Sequence, residues 1–399
     1  MMMVWESFVF HILTVIITVS LGVYTYFQWA FKYWEKKGIP YVTPNFPFGT
    51  IKLFSYPPLP FGEMCKQYYN EYKAKGYKHV GLYVFSRPLY LVLDVEYIRN
   101  ILSKDFDHFV DRGIYYNEKD DALSGNLFTI EGTKWKNLRA KITPTFTSGK
   151  MKMMFQILVE SGSHMKDAID IMRSKDSAIN IKDTLSRFTM NTIGSYAFGH
   201  ETSSTTMTFC LFELTQHLDI QENVRQEINE VLKRHNGEIT YDALTEMKYM
   251  GQVINETLRK YPPSACLNRK CVKDYKLPDT NIEISSGTAI AIPVLAVHHD
   301  PEYFTDPEKF DPDRFSEENK SLIKPYTYLP FGEGPRICIG LRFGLLQTKM
   351  GLAVLLKNYR FTLNEKTKLP LKMDPFSTFV SNTEEDIWLN VEKIKQNEY

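Results

Sequence analysis

Cysteine is scarce and its number is odd, with five in 399 residues. A disulfide framework is therefore excluded as the basis of the fold, and at least one thiol has no partner within the chain. Charge of one sign is lacking too. The 48 Lys+Arg against 47 Asp+Glu leave a net charge of +1, which gives no field to attract nucleic acid or a strongly acidic partner. No zinc-ligand spacing, nucleotide-binding glycine loop, hydrolase triad, internal repeat or low-complexity tract stands out. Adjacent His298 and His299 make a poor metal pair, because neighbouring side chains on extended backbone point apart; a turn with a hydrogen-bonding histidine is expected there. What is present suits a folded protein. Hydrophobic residues make up 43% and charged residues 24%, which excludes wholesale disorder. Aromatics stand at 14%, including 26 Phe and 24 Tyr, enough for a large apolar interior or pocket.

From Ser7 to Phe31 the chain has no Asp, Glu, Lys or Arg. About 20 apolar residues cross a bilayer as a helix, so the run is long enough. Tyr24, Tyr26 and Trp29 stand near its end, where aromatic side chains favour the interface. Lys32, Lys36 and Lys37 follow, whereas the preceding flank carries only Glu6. A cleaved signal peptide has basic residues before its apolar run and small residues at its cleavage site, and both are missing. The reading is an uncleaved anchor over residues 1–31, with the basic side and the body cytoplasmic. A buried helix is the other reading of such a run. Residues 32–50 contain Pro40, Pro44 and Pro47, which favour extended backbone and read as a stiff hinge.

The body, residues 51–399, reads as mainly α with a minor β part. Val80–Phe85 and Leu89–Leu93, separated by Ser86-Arg87-Pro88, read as a hairpin. Asp219 is positioned to cap a helix whose Val224, Ile228, Val231 and Leu232 share a face and which ends near Asn236-Gly237. Thr240 caps a short helix through Met247. Met250, Val253, Ile254 and Leu258 mark another, stopped at Pro262-Pro263. A last long helix starts near Gly340. Cys266 and Cys271 flank an expected hairpin; they, Cys65 and Cys210 lack a chemical setting.

The sharpest signal is Phe331-Gly332-Glu333-Gly334-Pro335-Arg336-Ile337-Cys338-Ile339-Gly340. Three glycines and a proline set an irregular loop that lets a bulky flat partner approach the backbone. Cys338 is expected in the first turn of the last helix, where the dipole favours thiolate. Thiolate is the axial ligand that pushes electron density onto haem iron. A buried cysteine in a glycine-rich turn is the plainer alternative.

The pattern Phe-x-x-Gly-x-Arg-x-Cys-x-Gly resembles the haem-binding loop of the cytochrome P-450 monooxygenases. Further pieces agree in order along the chain, and the whole looks like a microsomal member of the animal branch that handles xenobiotics, hormones and lipids. The resemblance implies haem b with Cys338 as axial ligand and Phe331 in its loop. It places Trp135 and Arg139, i and i+4 on a helix over about 133–142, at the haem propionates, with Arg336 and Arg269 beside them. It implies a buried structural triad of Glu256, Arg259 and Arg314, whose guanidinium forks suit a locked network. Glu201 and Thr202 resemble the family's acid–alcohol pair, which delivers protons for oxygen activation; a polar helix start is the plainer reading.

The family pattern breaks at one place. Phe198 stands where a small residue is usual before Gly199. Upstream, Phe188 to Gly199 looks like the end of a much earlier family helix, so roughly a hundred residues between the two pieces are missing. By resemblance, these hold the roof helices of the substrate pocket and the first half of the central helix. Met207, Phe209, Leu211 and Phe212 on the remaining half are expected to lose packing partners. The implied function is insertion of one atom of O2 into a lipophilic substrate at the endoplasmic reticulum membrane. Electrons come from NADPH through a flavoprotein reductase, with cytochrome b5 a further partner. Lys134, Lys136, Lys141 and Arg342 are candidates to steer an acidic reductase, or form a merely solvated face. The alternative is a catalytically impaired, truncated isoform or incomplete gene model that is membrane-anchored and does not turn over.

Overall fold

The computed structural model describes residues 2–52, 55, 57–192, 199–278, 280–377 and 380–394. In chain order the first elements are α1 (Met2–Ala30), α2 (Tyr33–Lys36), α3 (Phe61–Ala74), β1 (His79–Val84), β2 (Arg87–Val92) and α4 (Val95–Arg99). Next come α5 (Gly132–Ile142), α6 (Ser148–Lys175), β3 (Ala178–Asn180), α7 (Ile181–Thr192) and α8 (Gly199–Gln216). Then follow α9 (Leu218–Arg234), α10 (Tyr241–Glu246), α11 (Lys248–Lys260), β4 (Leu267–Lys270), β5 (Tyr275–Lys276) and β6 (Glu283–Ile284). The chain closes with β7 (Ala289–Ile292), α12 (Val294–His298), α13 (Leu341–Asn358), β8 (Tyr359–Leu363) and β9 (Trp388–Lys393). Helices dominate, in keeping with the mainly α reading. Two compact units form, one from Met1–Tyr115 with Asn268–Ile292, the other from Tyr116–Leu267 with Pro293–Tyr399.

The first unit carries a four-stranded sheet of order β1-β2-β7-β4. β1 and β2 form the expected antiparallel hairpin, with Phe85 at φ 53° in its turn. Among the described residues α1 alone is long and apolar enough to cross a membrane, and its side chains from Ser7 to Tyr26 are exposed. The segment after it does not stand free as a hinge. Trp34 is buried and its indole Nε1 donates to Leu82 O at 2.8 Å. Val42 N donates to Gly81 O at 3.0 Å and Gly81 N to Pro40 O at 2.8 Å, so the proline-rich stretch docks along β1. Prolines removed donors from this stretch but left carbonyls that β1 could use.

The second unit holds the main helical core and the antiparallel sheet β3-β9-β8. Val224, Ile228, Val231 and Leu232 are buried, as their spacing requires, and α9 ends before Asn236 and Gly237, both at positive φ. Its N-cap, however, is His217; Asp219 sits inside the first turn, because only His217 separates α9 from α8. Thr240 caps α10 by accepting from Ala243 N at 3.0 Å. Between Cys266 and Cys271 lies one strand, β4, not a hairpin.

The expectation for α8 is overturned. Met207, Phe209, Leu211 and Phe212 are each no more than 3% exposed. The helix packs against α7, α9, α11, α13 and β8, all of which are retained. Close approach to α13 depends on glycine: a Cβ at Gly351 would stand 2.4 Å from Met207 Sδ, and one at Gly344 would meet Ser203 Oγ at 3.7 Å. The buried hydroxyls are satisfied within the helix, Thr206 Oγ1 donating to Thr202 O at 2.7 Å and Thr208 Oγ1 to Ser204 O at 2.8 Å.

Two buried histidines set an acid limit. His298 donates through Nδ1 to Arg259 O at 3.1 Å and accepts at Nε2 from Leu329 N at 2.8 Å; it is a hydrogen-bonding neutral histidine, but it ends α12 and the turn begins at His299. Burial, then the charges of His299 and Arg259, pushes it down to about 3. His79, in the other unit, is pushed down to about 4 by burial. An unfolded histidine binds its proton near pH 6.5, and the folded ones do so only well below that. Unfolding therefore takes up protons as pH falls from 6.5 towards 4, and stability is lost over that window. Each group costs about 2 kcal/mol at pH 5, and thermal melts at pH 7 and pH 5 check this. A melting temperature unchanged across that range would contradict it.

Candidate functional site

The cysteine loop is built by two glycines whose φ, +71° at Gly332 and +74° at Gly334, few other residues adopt. A short 3-10 turn follows over Gly334–Arg336. Cys338 N donates to Phe331 O at 2.9 Å, closing the loop on itself. Cys338 lies two residues before Gly340, the N-cap of α13, rather than in the helix's first turn. The reason is that Ile337 at ψ 147° is extended, so the helix nucleates later. The Cys338 thiol is exposed, whereas Cys65, Cys210 and Cys271 are buried and Cys266 is partly covered. Burial raises Cys210 to about 12 and Cys271 to about 11, which keeps both as inert thiols.

Helix α5 brings Trp135 and Arg139 to this loop, one turn apart as their spacing requires. Arg139 Nη1 donates to Ile337 O at 2.9 Å, next to Cys338. Burial lowers the Arg139 guanidinium from its usual value, while the Cys338 sulfur nearby pulls it upward. Arg336 is 2% exposed; its guanidinium lies 4.1 Å from the Trp135 ring centroid and its Nη2 donates to Ile130 O at 3.0 Å. Trp135, Arg139, Arg336, Phe331 and Cys338 are thus one constellation, with a thiol, an indole and two guanidiniums. That donor set fits haem, which needs one soft axial ligand and cations for two propionates. Arg269 belongs to the other unit, buried on β4, where its Nη1 donates to Asn268 O at 2.8 Å.

The loop is braced from below. Glu256 accepts from Arg259 Nε and Nη2, each at 2.8 Å, and both side chains are fully buried. Arg314 Nε stands 3.4 Å from Glu256 Oε1, and Asp311 N donates to the same oxygen at 2.9 Å. Arg259 also donates to His298 O at 2.9 Å and Pro307 O at 2.7 Å. His298, through Leu329, carries this network to within two residues of Phe331.

Glu201 and Thr202 lie at the start of α8, Glu201 exposed and Thr202 half-buried. The next residue, Ser203, faces Gly344 on α13, six residues beyond Cys338. Phe198 lies outside the described residues, as does the side chain of His200. Lys134, Lys136, Lys141 and Arg342 are exposed, Lys134 paired with Glu118. Among the described residues no group of His, Cys, Asp and Glu could hold a separate metal ion.

The description of the cytochrome P450 family matches residues 40–201 and 199–390. The chain belongs to that family. Probable cytochrome P450 6a23 of Drosophila melanogaster is 35% identical over 481 aligned positions, covering 91% of this chain and 95% of that protein. Cytochrome P450 6A1 of Musca domestica is 31% identical over 495 positions, covering 94% and 96%. Cytochrome P450 6j1 of Blattella germanica is 32% identical over 479, covering 92% and 95%. Each alignment is longer than the 399 residues of this P450, so the relatives carry residues with no counterpart here. Family membership makes the chain a haem-containing monooxygenase. Sequence reasoning missed the His298–Leu329 link and the burial of α8, because neither leaves a periodic or motif signal.

Proposed function

We propose that this P450 oxidises a lipophilic small molecule at the endoplasmic reticulum membrane, with electrons passed from NADPH through a reductase and cytochrome b5 as a further donor. The observation that carries this reading is the meeting of the exposed Cys338 with Trp135, Arg139 and Arg336. Haem, when bound, would supply the oxidative chemistry by which one atom of O2 enters the substrate and the other leaves as water, at the expense of two electrons and two protons. Cys338 would hold its iron, with Phe331 O fixing the cysteine's backbone. Trp135, Arg139 and Arg336 would hold its propionates. Glu201, exposed, would take protons from solvent, and Thr202 would pass them on through its hydroxyl. The apolar α1 would anchor the chain, and Lys32, Lys36 and Lys37 after it favour a cytoplasmic body. The exposed cations of α5 and Arg342 would steer an acidic reductase.

One observation favours a second reading, a chain that binds haem but turns over poorly. The two family-matched stretches meet at 199–201, which supports an internal loss of the pocket's roof helices and of the first half of the central helix. A pocket without a roof admits water and wastes reducing equivalents. Membranes carrying this chain and a reductase, given NADPH and a lipophilic probe, separate the two. Oxidised probe in step with NADPH use supports the first reading; NADPH consumption that yields only hydrogen peroxide or water supports the second.

A further inference from the structure

Three consecutive residues at the end of α11 hold both the cysteine loop and α8. Arg259 faces the loop: its carbonyl accepts from His298, whose Nε2 accepts from Leu329 N. Lys260 and Tyr261 face α8. Lys260 Nζ donates to Glu213 Oε1 at 2.9 Å, and Tyr261 OH donates to the same oxygen at 2.5 Å. The Tyr261 ring lies flat on Phe209, one turn earlier, with centroids 4.5 Å apart and planes within 4°.

Glu213 is the sole charged residue from Thr202 to Gln216, and it is 1% exposed. A carboxylate buried in such a helix costs stability unless it is paired, so its worth lies in specificity. From Ser203 to Thr215 the other residues are apolar or carry hydroxyls, and those of Ser204, Thr206, Thr208 and Thr215 bond within the helix. Such contacts resist withdrawal from the core but set axial position weakly. A carboxylate gripped by an ammonium and a phenol sets it closely.

We propose that Glu213, Lys260 and Tyr261 form an axial clamp that fixes the register of α8 against the cysteine loop. They are positioning residues acting through Thr202, and their catalytic meaning rests on the reading of Thr202 given above.

Hydrogen exchange on the full chain in detergent, read by mass spectrometry, tests the clamp whether or not haem is present. Glu213→Gln and Tyr261→Phe each speed exchange of the amides at 203–208 at least tenfold, with the loop at 331–340 changed less than twofold. Tyr261→Phe keeps the ring on Phe209 and removes only the hydroxyl, so it carries the test if Glu213→Gln does not fold. Exchange at 203–208 within twofold of the parent overturns the clamp, and so does an equal rise in α8 and the loop, which marks a merely structural role. In the haem-loaded chain, the C–O stretch of the reduced carbonyl complex broadens in both variants while the thiolate-type Soret band stays. An unchanged stretch again overturns the clamp. A parent chain lacking that Soret band contradicts the haem reading alone.

Discussion

Arg259→Leu leaves no folded, haem-retaining protein. The substitution strands Glu256 as a fully buried carboxylate that keeps only Asp311 N and the more distant Arg314. It also removes the donors to His298 O and Pro307 O. Breaking a buried pair on one side costs about 3–5 kcal/mol, and the stranded carbonyls add to that. A domain has only about 5–15 kcal/mol to lose. Arg259→Lys restores the charge but not the fork, since one ammonium cannot serve two carboxylate oxygens and two carbonyls, so it rescues little. Yield of soluble protein and thermal melts of both variants check this. A variant that melts with the parent would show that the network contributes nothing to the loop.

Cys338→Ser folds but holds no stably ligated haem. Cys338 is exposed, so the substitution leaves the buried core intact. Serine is not ionised near neutral pH and offers iron no soft ligand. Haem per chain falls at least tenfold, while circular dichroism and the melting temperature of the haem-free protein match the parent. Equal haem loading in the two proteins would mean that iron is held elsewhere. Loss of folding together with haem would mean that Cys338 is structural.

Where function rests on a few residues at close spacing, the sequence is readable. The Glu256–Arg259 pair carries its geometry in its spacing and stands as a buried ion pair, and the ten residues ending at Gly340 form an irregular glycine-built loop, although Cys338 precedes α13 instead of lying in its first turn. The α9 face is equally plain, because Val224, Ile228, Val231 and Leu232 recur at helical period. α8 is opaque for the opposite reason. It is buried all round from Ser203 to Thr215, so it has no stripe, and its hydroxyls mimic a polar surface while bonding to their own helix. The docking of residues 32–50 on β1 is hidden because backbone groups make most of it. Glu213 and Tyr261 lie 48 residues apart, and no local pattern announces their bond.

The decisive measurement is the carbon monoxide difference spectrum of the reduced full chain, expressed with haem available and purified in detergent. Ligation by Cys338 produces the red-shifted Soret band characteristic of thiolate-bound haem iron. A stoichiometric haem complex whose carbonyl band lies at the position of a nitrogen- or oxygen-ligated iron, or a folded chain that takes up no haem, would contradict it.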